Sequence, residues 1–155
     1  MTAWRIVHDD LTYPAVEALV TLHLRAAHDN SPPGSVFALD LSGLRDPSVT
    51  LWTIWEGQAL LGMGALKQLE AGHGEIKSMR TAPDQLRRGV AAAMLAHIVG
   101  TARAQGYRQL SLETGSNAPF AAAHALYERA GFIECEPFAD YSDRAFSRYY
   151  RLALA

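Results

Sequence analysis

The spacing of apolar positions changes several times along this chain, and each change marks an element. Ala3 to Val7 reads as a short first strand. From Pro14 to Ala27 the positions Val16, Leu19, Val20, His23 and Ala27 recur at helical spacing, with Pro14 in the first turn and Thr12 placed as an N-cap. The run D-N-S-P-P-G-S from Asp29 to Ser35 then stops regular structure, because its prolines lack a backbone donor and fix φ. A loop of this kind often touches ligands, which makes Asn30 and Ser31 candidate substrate contacts.

Val49 to Glu56 is rich in β-branched and aromatic residues, and E-G-Q separates it from A-L-L-G-M-G-A-L-K, so a hairpin is expected. A third strand, His73 to Thr81, follows the turn signal E-A-G-H-G, and Pro83 closes this meander. Val90, Met94, Leu95, Ile98, Val99 and Ala102 trace one face of a long helix, with Gly106 placed as its C′ residue. A strand from Tyr107 to Thr114 and a helix from Ala118 to Ala130, stopped by Gly131, come next. Two strands end the chain, Phe132 to Glu136 and Phe146 to Leu154, around a polar loop. This order describes an α/β (α+β) protein, a mixed sheet covered by helices. The length of 155 residues suits one domain over residues 1–155.

Charge narrows the function. Fourteen Lys and Arg against 16 Asp and Glu leave a net charge of -2 with no basic run, which disfavours nucleic acid as a partner. The first residues lack the charged start and apolar stretch of a secretory signal, and no window approaches the ~18 apolar residues of a membrane span. A soluble cytoplasmic protein is expected, and its one cysteine, Cys135, fits a reducing compartment. The six histidines never pair at metal-binding helical spacing, so no metal is expected. The chain also lacks a P-loop G-K-[S/T], a dinucleotide G-x-G-x-x-G and a G-x-S-x-G elbow.

The chemistry concentrates in E-I-K-S-M-R-T-A-P-D-Q-L-R-R-G-V-A, Glu75 to Ala91, a strand, a basic turn and a helix start. The first N–H groups of a helix lack intrahelical acceptors and sit at the positive end of its dipole, so they suit a phosphate or pyrophosphate. Arg87 and Arg88 add positive charge, and Gly89 and Ala91 keep the approach small.

This segment resembles the acetyl-coenzyme A signature of the GNAT superfamily of N-acetyltransferases. The family pattern is Gln or Arg, two variable residues, Gly, one variable residue, then Gly or Ala. Here L-R-R-G-V-A supplies Gly89 and Ala91, with Leu86 in place of the usual Gln or Arg, and Pro83 stands where a proline is common. L-Y-E-R-A-G-F, Leu126 to Phe132, resembles the family's L-Y-x-x-x-G-F, although Phe120 replaces a frequent Asn upstream. The resemblance covers roughly Glu75 to Phe132; the first 70 residues match only in layout.

The resemblance implies a mostly antiparallel sheet of about six or seven strands with helices on both faces. It further implies an enzyme that moves an acetyl group from acetyl-CoA to a primary amine of a small molecule or peptide, by direct transfer in a ternary complex. Met79, Arg80, Thr81, Arg87, Arg88, Gly89, Val90 and Ala91 would bind the coenzyme, with backbone groups around Met79 and Thr81 aligning the pantetheine arm. Glu75 matches the catalytic glutamate of the histone-acetylating branch, with Glu113 as the competing base or a substrate contact, and Tyr127 would donate to the leaving thiolate. Lys77 and Arg80 flank the site, where their charges suit either an acidic substrate group or an ordinary solvated face. A non-catalytic acyl-CoA sensing module is the alternative, and a homodimer stays open.

Overall fold

A computed structural model describes residues 3–142 and 145–154. The strands are β1 (Trp4–His8), β2 (Val49–Glu56), β3 (Ala59–Glu70), β4 (His73–Thr81), β5 (Gln109–Gly115), β6 (Ile133–Cys135) and β7 (Ser147–Ala153). The helices are α1 (Pro14–Asn30), α2 (Leu41–Leu44), α3 (Val90–Ala104) and α4 (Ala121–Arg129), with 3-10 turns at Pro83–Gln85 and Ala118–Phe120. One sheet of seven strands runs in the order β1-β2-β3-β4-β5-β7-β6. All neighbours pair antiparallel except β4 with β5.

Two apolar cores lie on opposite sides of this sheet. Val90, Met94, Leu95 and Ile98 of α3 pack with Leu110, Leu112, Tyr127 and Phe132 on one face. Val16, Leu19 and Val20 of α1 pack with Leu51, Trp55, Met63 and Ala65 on the other. Burying each such large side chain contributes roughly 1.5–3 kcal/mol, so these two faces fix where the helices sit. Gly64 lets α3 come close: a Cβ there would lie 2.7 Å from Met94 Cγ and 2.8 Å from Met79 Sδ.

The helix ends follow the expected glycine logic. Gly106, at φ 83°, ends α3, its N–H bonding Arg103 O while Tyr107 N–H reaches Ala102 O. Gly131, at φ 99°, ends α4 in the same way, with Phe132 N–H on Tyr127 O.

Several expectations are corrected. Thr12 does not cap α1; its hydroxyl donates to Asp10 Oδ1 at 2.7 Å, and Tyr13 occupies the cap without a side-chain bond. α1 runs three residues beyond Ala27 to Asn30, so the loop begins at Ser31 and not at Asp29. The four residues of α2 are too few to show a period, and the helix is capped by Asp40 accepting from Gly43 N–H at 2.8 Å. The loop between β6 and β7 is not simply polar: Phe138 and Tyr141 stack there at 5.1 Å, beside Tyr149 and Phe37. No described helix is long and apolar enough to cross a membrane.

Candidate active site

The sheet opens between β4 and β5. β4 stays on β3 as far as Thr81 opposite Gly62, and β5 stays on β7 as far as Gly115 opposite Ser147. The parallel ladder joining β4 to β5, however, runs only from His73–Gln109 to Ile76–Leu112. Beyond it the strands part while each keeps its outer neighbour. The walls of this wedge are main-chain edges with donors and acceptors that the ladder does not use, which suits an extended amide-bearing ligand.

A β-bulge controls which side chains face the wedge. Met63 pairs with Arg80 and Ala65 with Lys77, so β4 spends one residue more than β3 across this stretch. Ser78 takes φ 56° to accommodate it. Strand side chains alternate with period two, and the extra residue restarts that alternation. Arg80 therefore shares a face with Lys77 and Glu75, the α1 face, and Met79 packs on the α3 side.

A cavity of ≈ 250 Å³ forms at the wedge. Its wall gathers Glu75, Met79 and Arg80 of β4, Glu113 of β5, Tyr127 of α4, and Asn30 and Ser31 at the end of α1. Residues from both faces of the sheet line it, so it passes through the gap between β4 and β5. Asn117 helps to hold the α1 end in place, its Nδ2 donating to Asn30 O at 3.0 Å; it makes no side-chain cap.

Glu75 is 3% exposed, and its Oε2 accepts from Lys77 Nζ at 3.2 Å and from the Tyr141 hydroxyl at 2.5 Å. Lys77 Nζ also donates to Tyr141 Oη at 2.9 Å, closing a triangle. Burial pushes the Tyr141 phenol up, and the Glu75 carboxylate beside it pushes the same way, so it keeps its proton and donates. Glu113 accepts from Ser147 Oγ at 2.6 Å. Tyr127 packs its ring on Phe132 and Tyr150, and burial together with Glu113 raises its phenol above the usual range.

Sequence reasoning missed Tyr141 and His23. His23 fits the apolar face of α1 by spacing, yet its ring lines the cavity and Nδ1 accepts from Arg80 Nε at 2.9 Å. Burial, then the charges of Arg80 and Lys77, lower the His23 pKa from 6.5 to about 4. The ring is neutral at physiological pH, with its proton on Nε2 because Nδ1 is the acceptor.

The remaining candidates lie beyond the cavity wall. Thr81 ends β4, and Arg87 to Ala91 form the turn into α3. Gly89 is the N-cap with φ 85°, and Arg87 is also left-handed at 65°. The first α3 ladder bond is Ala93 N–H to Gly89 O, so the N–H groups of Val90, Ala91 and Ala92 precede it. The Val90 side chain is buried in the α3 core. Arg88 reaches Glu56 Oε1 at 3.0 Å and lies 5.4 Å over the Trp4 ring, which ties this turn to the β1–β2 end of the sheet.

A model of the acetyltransferase (GNAT) family matches residues 16–132. The chain belongs to that family. It is accordingly an N-acetyltransferase. It is 54% identical over 146 residues, 94% of this chain and 92% of the other, to the uncharacterized N-acetyltransferase YedL of Escherichia coli K12. Among solved structures it resembles a Klebsiella pneumoniae protein named as an acyl-CoA N-acyltransferase, with TM-score 0.81, 29% identity and 98% of each chain covered. It also shares its fold with yncA of Salmonella typhimurium, solved with its cofactor acetyl-CoA, at TM-score 0.73 and 14% identity over 99% of this chain and 95% of that one.

Among the described residues no group of three or more His, Cys, Asp or Glu side chains is arranged to hold a metal. Cys135 lies on β6 outside the cavity wall, and burial pushes its thiol up.

Proposed function

We propose that this GNAT enzyme transfers the acetyl group of acetyl-CoA directly to a primary amine of a small molecule or peptide. The observation that carries this reading is the cavity itself, where the parted edges of β4 and β5 meet Glu75, Glu113 and Tyr127. The pantetheine arm, which carries amides, would lie along the Met79–Thr81 edge, and the pyrophosphate would take the N–H groups at the start of α3.

The chain's own groups answer the three needs of the reaction. The acceptor amine must be neutral to attack, and Glu75 or Glu113 takes its proton, directly or through water. The thioester carbonyl is polarised by a backbone N–H of the β4 edge. The departing thiolate is met by the Tyr127 hydroxyl. Because burial raises that phenol above an ordinary thiol, Tyr127 acts chiefly as a hydrogen-bond donor to the sulfur and not as a freely titrating acid. The sole cysteine stands outside the cavity, which favours one-step transfer over an acyl-enzyme. The single cysteine also fits work in the reducing cytoplasm.

The test is incubation with acetyl-CoA and a panel of amines, with free-thiol release and product mass read together. Acetylated amine in step with thiol release supports the reading. Tight acetyl-CoA binding with no product from any amine makes the chain a sensor.

A further inference from the structure

We propose that Arg80 is a carboxylate clamp and that the acceptor is a small amine bearing a carboxylate, such as a free amino acid. This rests on the reading of the cavity as the acceptor site and names the substrate class for it.

Four observations lead there. First, the bulge at Ser78 turns Arg80 onto the face that carries Glu75 and Lys77, and its side chain lines the cavity. Second, its Nε is already committed to His23 Nδ1, which fixes the guanidinium plane and leaves the two terminal Nη groups as a fork. Third, His23 brings no compensating charge, since the ring is neutral. Among the described residues no carboxylate lies within ion-pair distance of Arg80, whereas Lys77 is paired with Glu75 and Arg88 with Glu56. Fourth, the guanidinium is partly desolvated, and burial lowers its pKa. A desolvated guanidinium with a preset fork suits a planar carboxylate through two parallel N–H···O bonds.

The same cavity selects against other anions. Glu75 and Glu113 also line it, so a phosphate dianion meets repulsion there, while a monoanion with an amine at its other end matches both signs. The volume of ≈ 250 Å³ lies just below the ~300–1,000 Å³ of drug-sized pockets, which favours a small acceptor over a folded protein surface.

The experiment compares matched acceptor pairs that differ by the carboxylate alone: methionine with 3-(methylthio)propylamine, and phenylalanine with phenethylamine. Wild type, Arg80→Gln and Arg80→Lys are assayed for kcat/KM with acetyl-CoA, and thermal melts followed by circular dichroism show that each variant is folded. The expected result is a preference for the carboxylate member of roughly 100-fold in wild type, carried by two charge-assisted bonds. That ratio collapses to near one in Arg80→Gln and is partly restored in Arg80→Lys, which keeps the charge but not the fork. Product from both members with no preference, or a preference that survives Arg80→Gln, overturns the clamp while acetyl transfer stands. Coenzyme binding without product from any amine overturns acetyl transfer, and the clamp with it.

Discussion

The Tyr141 hydroxyl donates to Glu75 Oε2 across 66 positions of sequence, from a loop to a strand. Glu75 is therefore a carboxylate held on one oxygen by a phenol and an ammonium, not a loose strand residue. Both bonds fall on Oε2, so Oε1 is the oxygen that would meet an incoming N–H if Glu75 is the base.

Tyr141→Phe removes that hydroxyl and keeps the ring that stacks on Phe37, Phe138 and Tyr149. The hydroxyl fixes where the Glu75 carboxylate sits, and a hydrogen bond to a charged group contributes about 1.5–3 kcal/mol, so lost positioning should lower kcat by up to roughly 100-fold if Glu75 is the base. Acetyl-CoA affinity should hardly change, because the Tyr141 hydroxyl faces Glu75 and Lys77. Steady-state kinetics beside calorimetry reads both, and a wild-type kcat would transfer the base role to Glu113 or water.

At the turn into α3, two effects of Gly89 can be separated. Its φ of 85° strains any L-residue by about 1–2 kcal/mol, although a Cβ there would meet nothing within 4 Å. Gly89→Gln and Gly89→Glu share that strain and similar bulk, and differ by one negative charge. If the pyrophosphate lies at this helix start, Gly89→Glu should bind acetyl-CoA about tenfold or more weaker than Gly89→Gln, with the gap shrinking as salt rises. Equal affinity in the two folded variants would remove the phosphate from this turn.

The turn was legible in sequence because its chemistry is local: Pro83, Arg87, Arg88, Gly89 and Ala91 lie within nine residues. β2 and β4 fall where their residues place them, at Val49–Glu56 and His73–Thr81. What stayed hidden depends on distance. Tyr141 acquires its partner only when the β6–β7 loop folds over β4, and nothing in F-A-D-Y announces that. His23 satisfies the spacing of an apolar helix face, so its bond to Arg80 is invisible until α1 lies on the sheet. The bulge leaves no period to read, because β4 is buried on both sides at Glu75 and Ile76, and this concealed the turning of Arg80 toward α1.

His23 should leave a mark on acid stability. Its folded pKa, about 4, lies below the ordinary 6.5, so the unfolded chain binds the proton first as pH falls. The stability it contributes is present above about pH 6.5, is lost progressively between 6.5 and 4, and stays lost below. The loss is at most about 3 kcal/mol, less to the extent that the half-buried ring is solvated. His23→Gln should flatten the slope of unfolding free energy against pH in that window, measured by urea titration. An unchanged slope would mean that the imidazole is not held neutral by its surroundings.

Tyr127→Phe tests the thiolate end of the reaction. The ring contacts with Phe132 and Tyr150 persist without the hydroxyl, so folding and acetyl-CoA binding should survive. Turnover should fall roughly 10- to 1,000-fold if the phenol stabilises the leaving sulfur. The pH dependence distinguishes how it does so. Burial and the Glu113 carboxylate raise the phenol, so Tyr127 stays protonated through about pH 10 and has no titration of its own in the profile. The variant should therefore trace the wild-type curve at a lower height across about pH 6 to 10. A wild-type profile with an alkaline limb that vanishes in Tyr127→Phe would show instead that the phenol titrates during turnover. A rate equal to wild type would leave the thiolate to the solvent and to the backbone of the parted strands.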